Sequence, residues 1–170
     1  MNEKFIREFL SQAIHRIDEN TQKLTACLGE LEEIDIWKRP NQHSNSVGNI
    51  ILHLCGNIRQ YAISSLGNNK DVRERDKEFS ADGGYSGSEL LKKLIDTIDQ
   101  AKDIIRNATE SELLRERKVQ GYNHSGIGIV IHVTEHYSYH TGQIIFWTKL
   151  VKDKDLGFYA GIDLNVKNEK

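Results

Sequence analysis

Apolar residues recur along this chain at steps of three, four or seven, the spacing that gathers side chains on one face of an α-helix. In the first run Ile6, Phe9, Ala13, Ile17, Leu24, Leu28 and Leu31 share a face, with one skip around Asn20. The spacing predicts a helix over 2–32. A second run, Val47, Ile50, Ile51, Leu54, Ile58, Tyr61 and Leu66, predicts a helix over 46–66. Ser44, Asn45 and Ser46 offer cap oxygens before it, and Gly67-Asn68-Asn69 follows its end. The third, over 86–107, turns Leu91, Leu94, Ile95, Ile98, Ala101 and Ile105 to one side, with Ser86 or Ser88 as cap and Glu89 in the first turn.

The fourth, over 125–151, carries Ile127, Val130, Ile131, Tyr137, Ile144, Ile145, Trp147 and Leu150. Its β-branched opening, Ile127 to Ile131, resembles a strand, but the helical spacing beyond it decides for helix. Between these runs lie a polar loop from Asp35 to His43 around Pro40, the only proline, and a long charged loop from Gly67 to Tyr85. A third connection, Thr109 to His124, contains a predicted short helix over 111–117. The charge run from Asp71 to Lys77 reads as a solvated loop or helix end. The tail, 152–170, is charged, with a Leu156-Gly157-Phe158-Tyr159 stretch able to dock on the helices. Four long amphipathic helices in one small domain bury their stripes most simply as an all-α four-helix bundle. Up-down-up-down and crossover connections both remain compatible with the loop lengths.

Composition narrows the function. The 170 residues include 23 Lys and Arg against 25 Asp and Glu, a formal net charge of −2. Nucleic-acid binding and a polybasic membrane surface both need a clustered basic surplus that is missing here. No apolar run is long enough to span a bilayer. The first residues, Met1 to Glu8, mix charges where a signal peptide needs an apolar core. Cys27 and Cys55 are too few for a disulfide scaffold and are expected to be buried, inert thiols. A cytoplasmic location is therefore expected. Trp37 and Trp147 read as core or interface anchors.

Chemistry concentrates in the seven histidines. His132, His136 and His140 stand at successive steps of four, on one face of the fourth helix. Two imidazoles one turn apart can share one metal ion, but three consecutive turns span about 12 Å, so a third ligand must come from elsewhere. His53, at the edge of the second helix's stripe, is the best outside candidate. His15 flanks polar residues, and His43 and His124 fall in loops. Asn49 and Asn57 lie one turn either side of His53, while Tyr139 and Gln143 adjoin His140. These four can orient a ligand or simply bridge helices. His132-Val133-Thr134-Glu135-His136 also fits the H-x-x-E-H pattern of inverted zinc proteases. That chemistry needs a further carboxylate ligand downstream, and the only later glutamate is Glu169.

Ser46-Val47-Gly48-Asn49-Ile50-Ile51-Leu52-His53-Leu54, followed by His136-Tyr137-Ser138-Tyr139-His140-Thr141-Gly142-Gln143-Ile144, resembles the DinB-like superfamily, and within it the DUF1572 branch. The resemblance extends over nearly the whole chain. It implies a metal site made by His53, His136 and His140, with His132 left to a supporting or pocket-lining place. It further implies a homodimer and, by kinship with thiol-dependent transferases and isomerases, a small-molecule substrate together with a low-molecular-weight thiol. Three neutral imidazoles suit zinc or nickel, and also accept iron or manganese. The expected activity is thiol transfer or hydrolysis with an activated thiol or water. The alternative is a non-catalytic, metal-binding or stress-related bundle.

Overall fold

The computed structural model describes residues 3–169. The elements in order are α1 (Glu3–Glu30), α2 (Glu33–Trp37), α3 (Val47–Ile58), a π-helical continuation of α3 (Arg59–Leu66), α4 (Arg75–Ser80), α5 (Gly87–Arg106), α6 (Glu110–Leu114), β1 (Glu116–Val119), β2 (Tyr122–Ser125) and α7 (Gly126–Lys152). Residue 2, where the first helix was expected to begin, lies outside the described residues, as does residue 170 of the tail.

Four long helices form the bundle. α1 packs against α5 and α7, and α3 packs against the same two. The cyclic order is thus α1–α5–α3–α7, which places the consecutive long helices α1 and α3 on opposite corners and settles the connectivity that loop lengths left open. Inward positions of α1 are Leu10, Ala13, Ile17, Leu24 and Leu28, met from α5 by Leu90, Leu94, Ile98 and Ile105. Asn20, where the stripe skips, is buried as well, its amide donating to the Arg16 carbonyl at 2.8 Å. Burying each large aliphatic side chain contributes roughly 1.5–3 kcal/mol, and Tyr137 adds a fully buried ring whose hydroxyl lies 3.0 Å from Thr21 Oγ1.

Three long helices start on serine caps, two of them at serines that the sequence reading offered. Ser46 Oγ accepts from the Asn49 amide at 3.1 Å, Ser86 Oγ from Glu89 at 3.3 Å and Ser125 Oγ from Gly128 at 3.1 Å. At the first of these, α2 leans Trp37 so closely on α3 that a Cβ on Gly48 would stand 2.6 Å from the indole.

Several expectations need correction. In α7 the core face is Ile129, Val130, Val133, Tyr137, Thr141 and Ile144, whereas Ile131 and Leu150 are exposed. In α5 the buried position is Leu90, with Leu91 only half-buried. The segment 111–117 is not one helix. It is the short α6 followed by a hairpin whose two-residue turn, Gln120 and Gly121, has φ of 51° and 86°. Positive φ at both central residues matches the right-handed twist of the strands, and Val119 turns into the core. His124, expected in a loop, is therefore on β2, paired across the hairpin with Arg117. The polar stretch 35–43 begins inside α2. The charge run Asp71 to Lys77 is exposed, as expected of a solvated loop and helix end, and opens α4, with one exception: the Arg73 side chain is almost wholly buried.

Beyond Ile58 the backbone widens. Amides of Gly67 and Asn69 donate to carbonyls five residues back, Ala62 at 3.0 Å and Ser64 at 2.9 Å. Such π turns are uncommon and gather at functional sites. Here the segment aims Gln60 and Tyr61 at residues beside the histidines. Leu156 and Phe158 of the tail dock on the core, and Lys23 sits over the Tyr159 ring.

Candidate metal centre

His53 projects from α3 across to α7, where His136 and His140 stand one turn apart. Nitrogens of the three rings lie within 4.8 Å of one another, one from each. His53 Nε2 and His136 Nε2 are 2.9 Å apart. The three ring planes are mutually steep, at 73°, 78° and 85°, with centroids 4.5–5.1 Å apart. The rings therefore meet edge to face instead of stacking, and it is one nitrogen from each that converges. An ion bonded to three imidazoles at about 2.0–2.1 Å requires nitrogens roughly 3–3.5 Å apart, a separation that small ring rotations reach from here.

The far side of two rings is already spoken for. His53 Nδ1 lies 3.0 Å from Glu78 Oε2, and His140 Nδ1 lies 2.7 Å from Gln143 Oε1. An acceptor at Nδ1 fixes the Nδ1–H tautomer and leaves the Nε2 lone pair facing inward. Metal-binding histidines are oriented in just this manner. Arg73 Nη2 is also 3.1 Å from His53 Nδ1. One ring nitrogen cannot donate to Glu78 and accept from Arg73 at once. Arg73 already forms two bonds with Glu78, Nε to Oε1 at 2.7 Å and Nη2 to Oε2 at 2.8 Å, so the carboxylate claims the His53 proton.

Glu78 and Arg73 were missed by the sequence reading. They lie in a connection with no hydrophobic period, and only their burial together reveals them. Burial pushes the Glu78 carboxyl upward, but the Arg73 and His53 hydrogen bonds outweigh it and hold the group below its ordinary range. The pair is packed against Gly56, where a Cβ would fall 1.9 Å from Glu78 Oε1. Gln60, aimed by the π segment, accepts from Arg73 Nη1 at 2.9 Å.

Asn49 is fully committed to structure. Its amide donates to the carbonyls of Glu78 at 3.0 Å and Ala81 at 2.7 Å, while its oxygen accepts from Ser46. It thereby ties α4, and with it Glu78, to the start of α3. Asn57 Nδ2 reaches His132 Nε2 at 3.2 Å, and Asn57 Oδ1 is buried with no partner among the described residues. His132 does not join the convergent group. Its ring is sandwiched between Tyr61, 4.0 Å away at 21°, and His136, 5.3 Å away at 13°. Tyr139 is largely exposed, its ring edge-on to His140 at 5.0 Å. His15 and His43 are exposed and outside the three-histidine group.

Electrostatics favour neutral imidazoles. Burial, followed by repulsion from His140 and His53, pushes His136 down to about 3. Burial likewise lowers His140 and His132. A ligand must offer a lone pair rather than a proton, so a site of depressed imidazoles with anchored outer nitrogens fits a divalent cation. Both thiols lie off the site, as expected: Cys27 and Cys55 are buried, and burial raises Cys55 to about 11. The inverted-protease reading gains no support, since Glu135 is exposed and outside the three-histidine group.

From His140 a cleft of about 580 Å³ opens along α7. Gln143, Phe146, Trp147 and Leu150 line it from α7 and Ile50 from α3, with Lys38 and His43 of the preceding connection also in the lining. Trp147 is pinned by its Nε1, which donates to the Asp35 carbonyl at 3.1 Å.

No helix among the described residues is long and apolar enough to cross a membrane. No functionally curated protein matches the chain in sequence. Among solved structures, a DinB-like protein from Bacillus subtilis superposes with a TM-score of 0.65, covering 85% of this chain and 94% of that one at 14% identity. That likeness establishes a shared fold. A family model described as a protein of unknown function, DUF1572, matches residues 4–160. With nearly its whole length matched, the chain belongs to the DUF1572 family and has the DinB-like fold.

Proposed function

We propose that this protein is a divalent-metal-dependent enzyme that activates a thiol, or alternatively water, toward a small substrate. The observation carrying the reading is the convergence of three imidazoles, two of them locked by partners at Nδ1, beside an open cleft. His53, His136 and His140 would hold the ion, with zinc or nickel favoured by the all-imidazole donor set and iron or manganese also accepted. Bound by three uncharged ligands, such an ion keeps its +2 charge and lowers the pKa of a thiol or water that reaches it.

The chain's own residues perform the rest. Glu78 accepts the His53 proton and holds that ring in register. Arg73 keeps Glu78 ionised, and Gln143 sets the tautomer of His140. In thiol transfer, the thiol would lose its proton to solvent, and the thiolate sulfur would bond to carbon as the carbon–leaving-group bond breaks and the leaving group departs with its electron pair. Thiol transfer is preferred over hydrolysis through the resemblance to thiol-dependent DinB-like enzymes alone, since a metal held by three imidazoles can activate either nucleophile.

The test compares metal-stripped protein with protein loaded with zinc, nickel or manganese. Cysteine, glutathione and coenzyme A are offered with 1-chloro-2,4-dinitrobenzene, and nitrophenyl esters probe hydrolysis. The expected result is turnover with at least one loaded form that is absent from the stripped protein and from His140→Ala. No rate above the stripped protein with any metal would leave a non-catalytic metal-binding bundle as the function.

A further inference from the structure

The stripe of α7 that carries the metal candidates does not stop at them. His136, His140, Gln143, Trp147 and Leu150 follow at steps of four, three, four and three, all on one helical face. Along that face the chemistry changes from imidazole to amide to indole to aliphatic. The run from His140 to Leu150 covers about 15 Å of helix. Phe146, on its flank, is 70% exposed and Leu150 62%. Large apolar side chains left open beside a polar centre mark a binding surface more often than a neutral one. Trp147 is held by its bond to Asp35 and so presents a fixed wall.

We propose that this cleft binds the apolar, aromatic body of the substrate and directs its reacting end to the His53–His136–His140 centre. The proposal rests on the metal-centre reading given above. Three observations select a small molecule as the occupant. The cleft is continuous with the candidate centre, because His140 and Gln143 line it. Its volume, about 580 Å³, lies within the range of small-molecule pockets and will seat two fused or linked rings. Val47 and Ile50 of α3 and Phe146, Trp147 and Leu150 of α7 give it an apolar strip, bordered by the polar side chains of Ser44, Asn45 and Gln143, so a ring system laid along α7 meets mainly apolar surface. Lys38 and His43 also line the cleft and are exposed, so a polar tail on the ligand could meet them.

The experiment uses hydroxamates as metal-seeking probes on zinc-loaded, full-length protein. Acetohydroxamate reports on the metal alone, whereas 4-phenylbenzohydroxamate carries a body for the cleft. Burial of the rings predicts that the aryl probe binds about ten- to a hundred-fold more tightly than the acetyl probe. Phe146→Ser and Leu150→Ser alter exposed side chains and leave the bundle core untouched. They are expected to shrink that advantage to about threefold or less, with acetohydroxamate affinity unchanged. Acetohydroxamate binding without an aryl advantage overturns the cleft assignment and leaves the metal centre standing. Failure of both probes refutes the metal centre, and the proposal with it. An aryl advantage that survives both substitutions places the ring elsewhere and overturns the assignment. Sedimentation separates the remaining occupant. A dimer that Phe146→Ser and Leu150→Ser dissociate, with no aryl advantage in wild type, makes the cleft a contact between copies and overturns the proposal.

Discussion

Glu78→Gln is the sharpest probe of how the site is held. The change keeps the size of the side chain and one oxygen able to accept from His53 Nδ1, but removes the charge that pairs with Arg73. Arg73 and Glu78 side chains are only 2% and 9% exposed, so a guanidinium would be left buried without its counter-ion. Breaking such a pair costs about 3–5 kcal/mol, and the retained amide contacts point to the lower end, about 3 kcal/mol. For a domain of this size that corresponds to a fall in melting temperature of roughly 6–12 °C. Removing the partner of a ligating histidine lowers metal affinity by about ten- to a hundred-fold. Glu78→Gln should sit near tenfold, since the amide still accepts from the ring, and Glu78→Ala near a hundredfold. Competition with a chromophoric zinc chelator measures the affinity, and melting of the metal-free protein measures the stability. If Glu78→Gln binds zinc within about twofold of wild type and melts unchanged, the Arg73–Glu78–His53 chain neither orients the ring nor supports the fold.

His132→Ala should retain metal stoichiometry and lose no more than about tenfold in affinity, because its ring stacks on His136 without reaching the centre; loss of the bound ion in elemental analysis would make it a ligand. The pH dependence has a definite sign. His136, His140 and His132 are held below their unfolded value, so the unfolded chain takes up protons that the native one refuses. Their contribution is complete above about pH 6.5 and is lost as the pH falls below it, for His136 down to about 3. Glu78, also held low, adds a loss of the same sign beginning near its ordinary value, about 4.5. Metal-stripped protein should therefore melt progressively lower from about pH 7 to about pH 5, and a flat profile over that interval would show the imidazoles to be freely solvated.

The parts of this protein legible in its sequence are those that repeat. Four helices announced themselves through apolar spacing, two of them also through serine caps, and His136 and His140 through their one-turn separation. His53 stood out as an ionisable group at the margin of a buried stripe. What stayed hidden has no period. Arg73 and Glu78 sit in a charged segment whose composition is that of a solvated loop, and only the close approach of α4 to Gly56 converts them into a buried pair. The hairpin turn Gln120-Gly121 lacks the Asn or Asp that usually flags positive φ, and the π register after Ile58 depends on backbone bonds that side-chain spacing does not encode. Ile131 and Leu150 were misplaced because α7 is apolar on more than one face. For Leu150 that excess apolar surface has a use, as the outer wall of the cleft.

Elemental analysis of tag-free protein, alongside His53→Ala, His136→Ala and His140→Ala, decides whether the three histidines form a metal centre. After incubation with zinc, nickel or manganese and removal of excess ion, the wild type should carry about one ion per chain and the three variants little or none. A wild type that retains no metal under any of these conditions, or variants that keep a full equivalent, would contradict it.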